Sequence, residues 1–562
     1  MADDDALSAA VAAHRTGDLE TAKSLYRKAL DQDPENAAAR HMLGVAERDS
    51  GSLKAAERAF TAVLQHDPNN AEVWFDYGLT LRRAGVLDAA TDAFSKATAI
   101  DPAQGPGWYQ LGQCCRTECR FEPAMAAFER AVALMPQEPA VLYDAAQTLL
   151  SLGRCRDALD LVQSHEDIIL KSSDHAFLRA EALWFCGDTD AAAAAFEQAV
   201  HTHPGSVSVR IRYADFLIAQ SENEAALQLL HPLRSAHPDR LEYANRLAGL
   251  LFSVGRIEDA WPLLRPANER VGSTGLALRR RGQLRWTGQP LDGKRLFLTK
   301  YQGLGEQLMF LSLMPDLHAL CDIAAAEVDP PLLALAQRTY PGINIVPWSK
   351  PAHADISQGE ADYWSTAGDF AAAVRRTADD FTHTPPKLLP DASLVDHYAR
   401  VVREHANGKF VAGLSHASPG SPIGAFKSVP LSQLAWLGDI DDLCLVSLQY
   451  GTAGHDLVGW AADTGIDLVP PVDDAMLRDP EHQAALIAAT DLVMSVSTTT
   501  IHIAGAMQHP AWVLLPFGRY TFWYWTESAG APLWWPAVQR VRPPDGTGWA
   551  FLKAKLEQEI AG

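Results

Sequence analysis

The sequence predicts an all-α repeat array in the first half of the chain, followed by an α/β region of two lobes. Prolines recur at intervals of 34, at Pro34, Pro68, Pro102 and Pro136, and return in the same register at Pro204 and Pro238. Beyond about Thr274 that period stops. Short apolar runs bounded by small polar residues then alternate with helical stretches, as in a parallel sheet covered by helices. At 562 residues the chain is too long for one core, so at least two domains are expected.

In the first half, Ala22, Ala56, Ala90, Ala124, Ala158, Ala192, Ala226 and Ala260 mark one position of the period. Tyr26, Phe60, Phe94, Phe128 and Phe196 mark a second, and Gly44, Gly78 and Gly112 a third. Each unit reads as two amphipathic helices. The small residue lets them approach, the aromatic fills the gap beside it, and the closing proline stops the second helix. A single pair cannot bury its apolar face, so the units must stack, leaving a concave surface suited to a polypeptide. A purely structural spacer or a dimerisation arm fits the same pattern.

The second half opens with a strand at Arg295–Thr299, a turn with Gly303 and Gly305, and a helix beginning near Glu306. Lacking a third glycine, this turn is a weak dinucleotide fingerprint. Further strands are expected at 323–328, 343–346, 410–414, 443–448 and 466–469. A helix over 392–405 is expected to end the first sheet, and one over 550–560 to pack back onto the first lobe. The clearest stretch is Asp491 to Pro516, which reads as a strand at Leu492–Val496, the hydroxyl turn Ser497, Thr498, Thr499 and Thr500, a helix carrying His502, Gly505 and Ala506, and a strand from Ala511 to Leu515.

A helix start rich in hydroxyls, at the carboxyl edge of a parallel sheet, suits a phosphate through its free N–H groups and dipole. The bland alternative is a capping serine with space-filling threonines. Other strand ends place Ser415, His416, Ser418, Ser421, Lys427 and Ser428 in one loop, and Gln449 with Tyr450 in another. Together they offer charge neutralisation and hydrogen-bond donors to a nucleotide-sugar phosphate. Taken singly, Lys427 reads as a solvated lysine, Gln449 as a strand-end cap and His502 as a packed helix residue. Trp523, Trp525, Trp534, Trp535 and Arg519 fit either core packing or stacking on a sugar or base.

The net charge of −21 is spread over both halves, −9 before Leu291 and −12 after it, which argues against a nucleic-acid partner. No basic amphipathic helix or long apolar run suggests a membrane, and the acidic start predicts a cytoplasmic protein. Seven scattered cysteines suggest no disulfide framework, and Cys114, Cys115 and Cys119 read as core rather than as metal ligands. No metal and no bound cofactor are expected.

The repeat period, with Trp74 and Leu111, resembles the tetratricopeptide repeat over about residues 3–274, in eight units with the fifth and eighth degenerate. From Leu291 on, GLGEQLMFLSLMPDL, FKSVPLSQL, VSLQYG and DLVMSVSTTTIHIAGAMQHPAWVLLP resemble heptosyltransferase-like GT-B glycosyltransferases, and STTTIHIAGA also resembles the donor-phosphate turn of protein O-GlcNAc transferases. The resemblance implies an all-α tetratricopeptide-repeat superhelix (1–274), a linker (275–290) and an α/β GT-B domain of two Rossmann-like lobes, an acceptor lobe (291–407) and a donor lobe (408–562). Repeats fused ahead of such a domain also resemble bacterial flagellin glycosyltransferases, in which the repeats bind the acceptor protein.

It further implies Glu306 as general base, where heptosyltransferases place an aspartate. Lys427 would contact the donor phosphate, with Ser497 to Thr500 and His502 lining the same pocket. Heptosyltransferases usually carry Asp-Thr-Gly where this chain has Ser497, Thr498 and Thr499, which points to a different nucleotide sugar. Flagellin as acceptor and a CMP-linked nonulosonic acid as donor are implied by architecture alone. Two alternatives stay open: a non-catalytic repeat adaptor with a degenerate transferase domain, and an enzyme acting on a glycan or lipid.

Overall fold

The computed structural model describes residues 2–269, 278, 282–286, 288–301, 303–350, 361–381, 385–420, 423–518, 522–528, 531–532, 534–546 and 548–561. Its contacts divide the chain into two units, residues 1–172 with 419–425, and residues 173–418 with 426–562.

The first unit consists of antiparallel helix pairs, the first being Ala2–Arg15 with Leu19–Gln32 and the fourth Gly105–Thr117 with Phe121–Leu134. The periodic residues explain how each pair closes. A Cβ on Gly44, Gly78 or Gly112 would stand 2.7, 2.7 or 2.6 Å from the ring of Phe60, Phe94 or Phe128 in the partner helix. The bare backbone is therefore the seat of the ring, and every alanine and aromatic of the two other periodic positions is 0% exposed. Asn36 and Asn70 cap the following helices by accepting from the N–H of Ala39 and Val73. The carbonyls of Pro34, Pro68 and Pro102 also take a donor six residues on: Arg40 at Pro34, Trp74 Nε1 at Pro68 (2.8 Å) and Trp108 Nε1 at Pro102 (3.0 Å).

A polar ladder joins successive units. Asp76 accepts from His41 Nε2 (2.7 Å) and Arg48 (2.6 Å). Two repeats later Asp144 accepts from Tyr109 Oη (2.9 Å) and Arg116 (2.8 Å). Cys114, Cys115 and Cys119 are buried and stand in no disulfide, in keeping with core packing.

The second unit begins with further helix pairs, Leu178–Phe185 with Thr189–Thr202, Val207–Ala219 with Asn223–Ala236, and Leu241–Ser253 with Ile257–Glu269. Among the described residues two five-stranded sheets follow, parallel throughout. The first contains β1 (Leu284–Arg285), β2 (Arg295–Thr299), β3 (Asp322–Val328), β4 (Ile345–Pro347) and β5 (Tyr363–Thr366), in the order β1-β5-β2-β3-β4. The second contains β6 (Phe410–Ser415), β7 (Leu443–Ser447), β8 (Leu492–Val496) and β9 (Ala511–Leu514). A short antiparallel pair, β10 (Glu527–Ser528) and β11 (Ala531–Pro532), precedes its last strand, β12 (Val538–Val541), and the order is β12-β9-β8-β6-β7.

Four expectations need correction. The stretch 466–469 is no strand but a single bridge, Leu445 to Leu468, because Pro470 and Pro471 halt pairing at once and Asp467 is drawn to Lys409 and His405. The closing helix, Leu552–Ala561, packs on the second sheet and not the first lobe, with Leu552 and Leu556 buried against Trp512 and Val541. The helix Ala392–Ala406 does not end the first sheet. It lies against the helix Pro480–Ile487, which precedes β8, and Tyr398 Oη stands 2.8 Å from His482 Nδ1. Finally, the supposed linker 275–290 contributes β1, paired with β5.

Candidate functional site

Each sheet reverses its strand order at one point. In the first, β3 and β4 lie to one side of β2 and β5 to the other, while in the second β7 lies to one side of β6 and β8 to the other. Loops diverge at the carboxyl ends of such neighbours and open a crevice for a ligand. From β2 the chain passes Tyr301 and Gly303 into the helix Leu304–Leu311, and from β8 it passes Ser497 and Thr498 into the helix Thr499–Ala506. These two helices pack on each other.

Glycine permits that approach. A Cβ on Gly305 would stand 2.6 Å from His502 Cδ2, and one on Gly505 would stand 2.6 Å from Trp535 Cγ. His502 is buried between the two, and its Nδ1 accepts from Trp535 Nε1 at 3.1 Å. An indole nitrogen only donates, so a neutral imidazole here carries its proton on Nε2. Burial, reinforced by the Lys427 charge, pushes the His502 pKa down to about 3. The ring is therefore a neutral donor.

Glu306 occupies the third position of its helix, and its carboxylate folds back over Gly303, where any side chain would collide with it. Burial raises its pKa above the usual carboxylate value, against the opposing pull of its own backbone N–H and of Lys427. Tyr301 stands beside it, its phenol pushed up by burial and by the Glu306 and Asp369 charges. Lys427 Nζ donates to the Ser497 carbonyl at 2.9 Å and lies 5.5 Å from the centre of the Phe522 ring. Glu306, Lys427, His502, Gly303, Gly305 and the Ser497 turn thus share one place.

The four hydroxyls do not all converge on an anion. Ser497 Oγ is taken by Trp525 Nε1 at 2.8 Å, and Thr500 is buried. Thr498 Oγ1 lies 3.2 Å from Ser495 Oγ, and both Thr498 and Thr499 are half-buried. The Thr498 side chain makes no capping hydrogen bond to the helix they begin.

Ser415, His416 and Gln449 brace the edge from within. Gln449 Oε1 accepts from Ser415 Oγ and from the Ala417 N–H, each at 3.1 Å. His416 Nδ1 lies 3.0 Å from the Val429 carbonyl and Nε2 3.4 Å from that of Ala453. Ser428 Oγ accepts from the Ser418 N–H at 2.9 Å, and Tyr450 lies under Arg478. Trp523, Trp525, Trp534 and Trp535 are buried, which is the packing alternative. Ser421 and Arg519 lie outside the described residues.

Sequence reasoning missed Tyr301 and the part played by Trp525. Tyr301 was detectable from its place just beyond a strand's carboxyl end. Trp525 carried no such mark, since its partner lies 28 residues away in sequence. Among the described residues, His405, Cys444 and Asp467 also come together, but Asp467 already pairs with Lys409, so the group reads as an ion-pair network. A separate cavity of about 270 Å³ is lined by Tyr398, Val402, Val446 and Met476, and none of the site residues borders it.

Two tetratricopeptide-repeat profiles match the chain, one at residues 13–74, 47–114 and 187–251 and the other at 143–207. The chain therefore contains tetratricopeptide repeats. Protein FlbA of Caulobacter vibrioides is 29% identical over 327 residues, 52% of this chain and 53% of that protein, so the chain spans about half the length of this relative. Among solved structures, Pseudomonas aeruginosa pilF is 23% identical over 38% of this chain and 97% of its own, with a TM-score of 0.32. A tetratricopeptide repeat protein of Parabacteroides merdae is 16% identical over 42% of this chain and 92% of its own, with a TM-score of 0.34. Among the described residues, no helix is long and apolar enough to cross a membrane.

Two outcomes test this geometry. Gly305→Ala must force the helices apart or tilt the imidazole, and should cost about 1–3 kcal/mol in urea unfolding. An unchanged midpoint would show the contact to be loose. Glu306 holds its proton to higher pH when folded than when unfolded, so its burial lowers stability progressively as pH rises from the unfolded carboxyl pKa through the folded one. Glu306→Gln should stabilise the protein at about pH 8 and have little effect at about pH 4. Equal effects at both values would dismiss burial as the cause.

Proposed function

We propose that the chain is a metal-independent GT-B protein glycosyltransferase. One observation supports it above the others: both order-reversal points send their loops to the same place, one bringing Glu306 and the other a helix start whose Thr498 side chain does not cap it, beside Lys427. In this reading the β6–β9 sheet holds a nucleotide sugar, with its phosphate at Thr498, Thr499 and the first N–H groups of their helix. Lys427 and the helix dipole stabilise the departing charge.

A serine or threonine hydroxyl of the acceptor attacks the anomeric carbon. The new glycosidic bond forms from oxygen to carbon, and the bond from carbon to phosphate oxygen breaks, its electron pair leaving with the nucleotide. The hydroxyl proton passes to Glu306, whose carboxylate burial makes more basic than an ordinary one. His502, neutral, donates from Nε2 and neither gains nor loses a proton. The repeats recruit the acceptor, for which flagellin is the candidate, and a CMP-linked nonulosonic acid is the candidate donor. The site lies in the cytoplasm, where nucleotide sugars are made.

A second reading, a repeat adaptor with a degenerate transferase domain, is favoured by the internal use of Ser415, His416, Gln449 and the Ser497 hydroxyl. Thermal shifts with CMP, UDP, GDP and ADP separate the two, since a nucleotide that binds the folded state raises its melting temperature. The enzyme reading expects one nucleotide to stabilise the chain and its sugar derivative to add mass to flagellin. Lys427→Met should weaken that nucleotide by about 10- to 100-fold, the value of a charged hydrogen bond. No shift with any nucleotide, together with unmodified acceptor, leaves the adaptor.

A further inference from the structure

Three consecutive residues, Trp523 to Trp525, form a single tight turn whose side chains serve different neighbours. Trp523 enters the last helix pair of the repeats. Its ring stacks on Phe252 at 5.1 Å and 24°, and meets Trp261 edge-on at 5.3 Å. Trp261 Nε1 in turn donates to the Arg375 carbonyl at 2.6 Å, in the loop after the helix that follows β5. On its other side Trp523 meets Trp534, whose Nε1 donates to the Met309 carbonyl at 3.0 Å, within the helix that carries Glu306.

Tyr524 and Trp525 face the anion turn. Both rings lie 5.1 Å from the His502 imidazole, and Trp525 Nε1 fixes the Ser497 hydroxyl at 2.8 Å. Arg540 of β12 holds the Trp525 carbonyl at 2.6 Å. Ser497 is the residue whose carbonyl receives Lys427. All of these groups except Lys427 and Arg540 are buried, and they form an unbroken run of contacts from repeat helix to site.

We infer that the final repeat pair is a working part of the transferase-like site: Phe252 and Trp261 seat Trp523, the turn fixes Trp525, and Trp525 positions Ser497 and hence Lys427. This rests on the function proposed above for its consequence in nucleotide binding, but not for the coupling itself. Trp525 is thus a positioning residue. The last repeat pair belongs, on this view, with the α/β region, and acceptor recruitment falls to earlier repeats.

The test uses the full chain with Trp525→Phe, Phe252→Leu and Trp261→Phe, and Phe60→Leu in the first unit as control. Two readouts are taken: amide hydrogen exchange over residues 492–506 without ligand, and the affinity for whichever nucleotide stabilises the wild type. Each of the three variants is expected to speed exchange at residues 497–502, and Trp525→Phe to weaken the nucleotide roughly tenfold, as loss of a buried hydrogen bond does. The control should change neither. Unchanged exchange in all three variants overturns the inference, whatever the nucleotide does. Faster exchange in the variants, with a wild type that binds no nucleotide, upholds the coupling and removes the function proposed for it. Should Phe252→Leu unfold, Trp261→Phe, which keeps an aromatic ring, answers the same question.

Discussion

The second unit depends on a contact that only glycine allows. Two helices, each leaving the order-reversal point of its own parallel sheet, come close enough for the Gly305 backbone to lie against the His502 ring, and Gly505 seats Trp535 against the far side of the same helix. With side chains at these positions the helices would stand apart, and the turns before them, at Gly303 and Ser497, would no longer face one another. The same contact desolvates His502 and helps to bury Glu306. One imidazole is thereby kept neutral and one carboxyl is made more basic by a single packing decision.

The repeats use the same physics with other residues. There a glycine on one helix seats an aromatic ring from its partner, unit after unit, and a proline carbonyl takes up the donor six residues on. The Gly44, Gly78 and Gly112 seats close alike, while the polar ladder changes from His41 and Arg48 around Asp76 to Tyr109 and Arg116 around Asp144. The last pair departs further, giving Phe252 and Trp261 to the α/β region rather than to a following repeat.

Much of this was legible in the sequence, where one period or one uninterrupted apolar run decides the outcome. The 34-residue register placed the seats and rings of the helix pairs. Arg295–Thr299 and Leu492–Val496 were plain as strands because both are buried on two faces. Val538–Val541 was not, since its two middle residues are polar and partly exposed at the sheet edge. Residues 466–469 misled because apolar residues promise pairing that two following prolines and an ion pair then withhold. The residue types singled out in the sequence lie at strand ends, but which of them are already engaged could not be read. That Ser497 spends its hydroxyl on Trp525, or Gln449 its amide oxygen on Ser415, depends on partners distant in sequence.

The most direct measurement is a crystal structure of the full chain grown with the nucleotide that stabilises it. A phosphate within hydrogen-bond reach of the Thr499 and Thr500 N–H groups and of Lys427 Nζ, with the sugar directed toward Glu306, is the expected result. A nucleotide seated elsewhere, or a turn at Thr499 closed by protein atoms, would contradict the claim that the two facing turns make one transferase site.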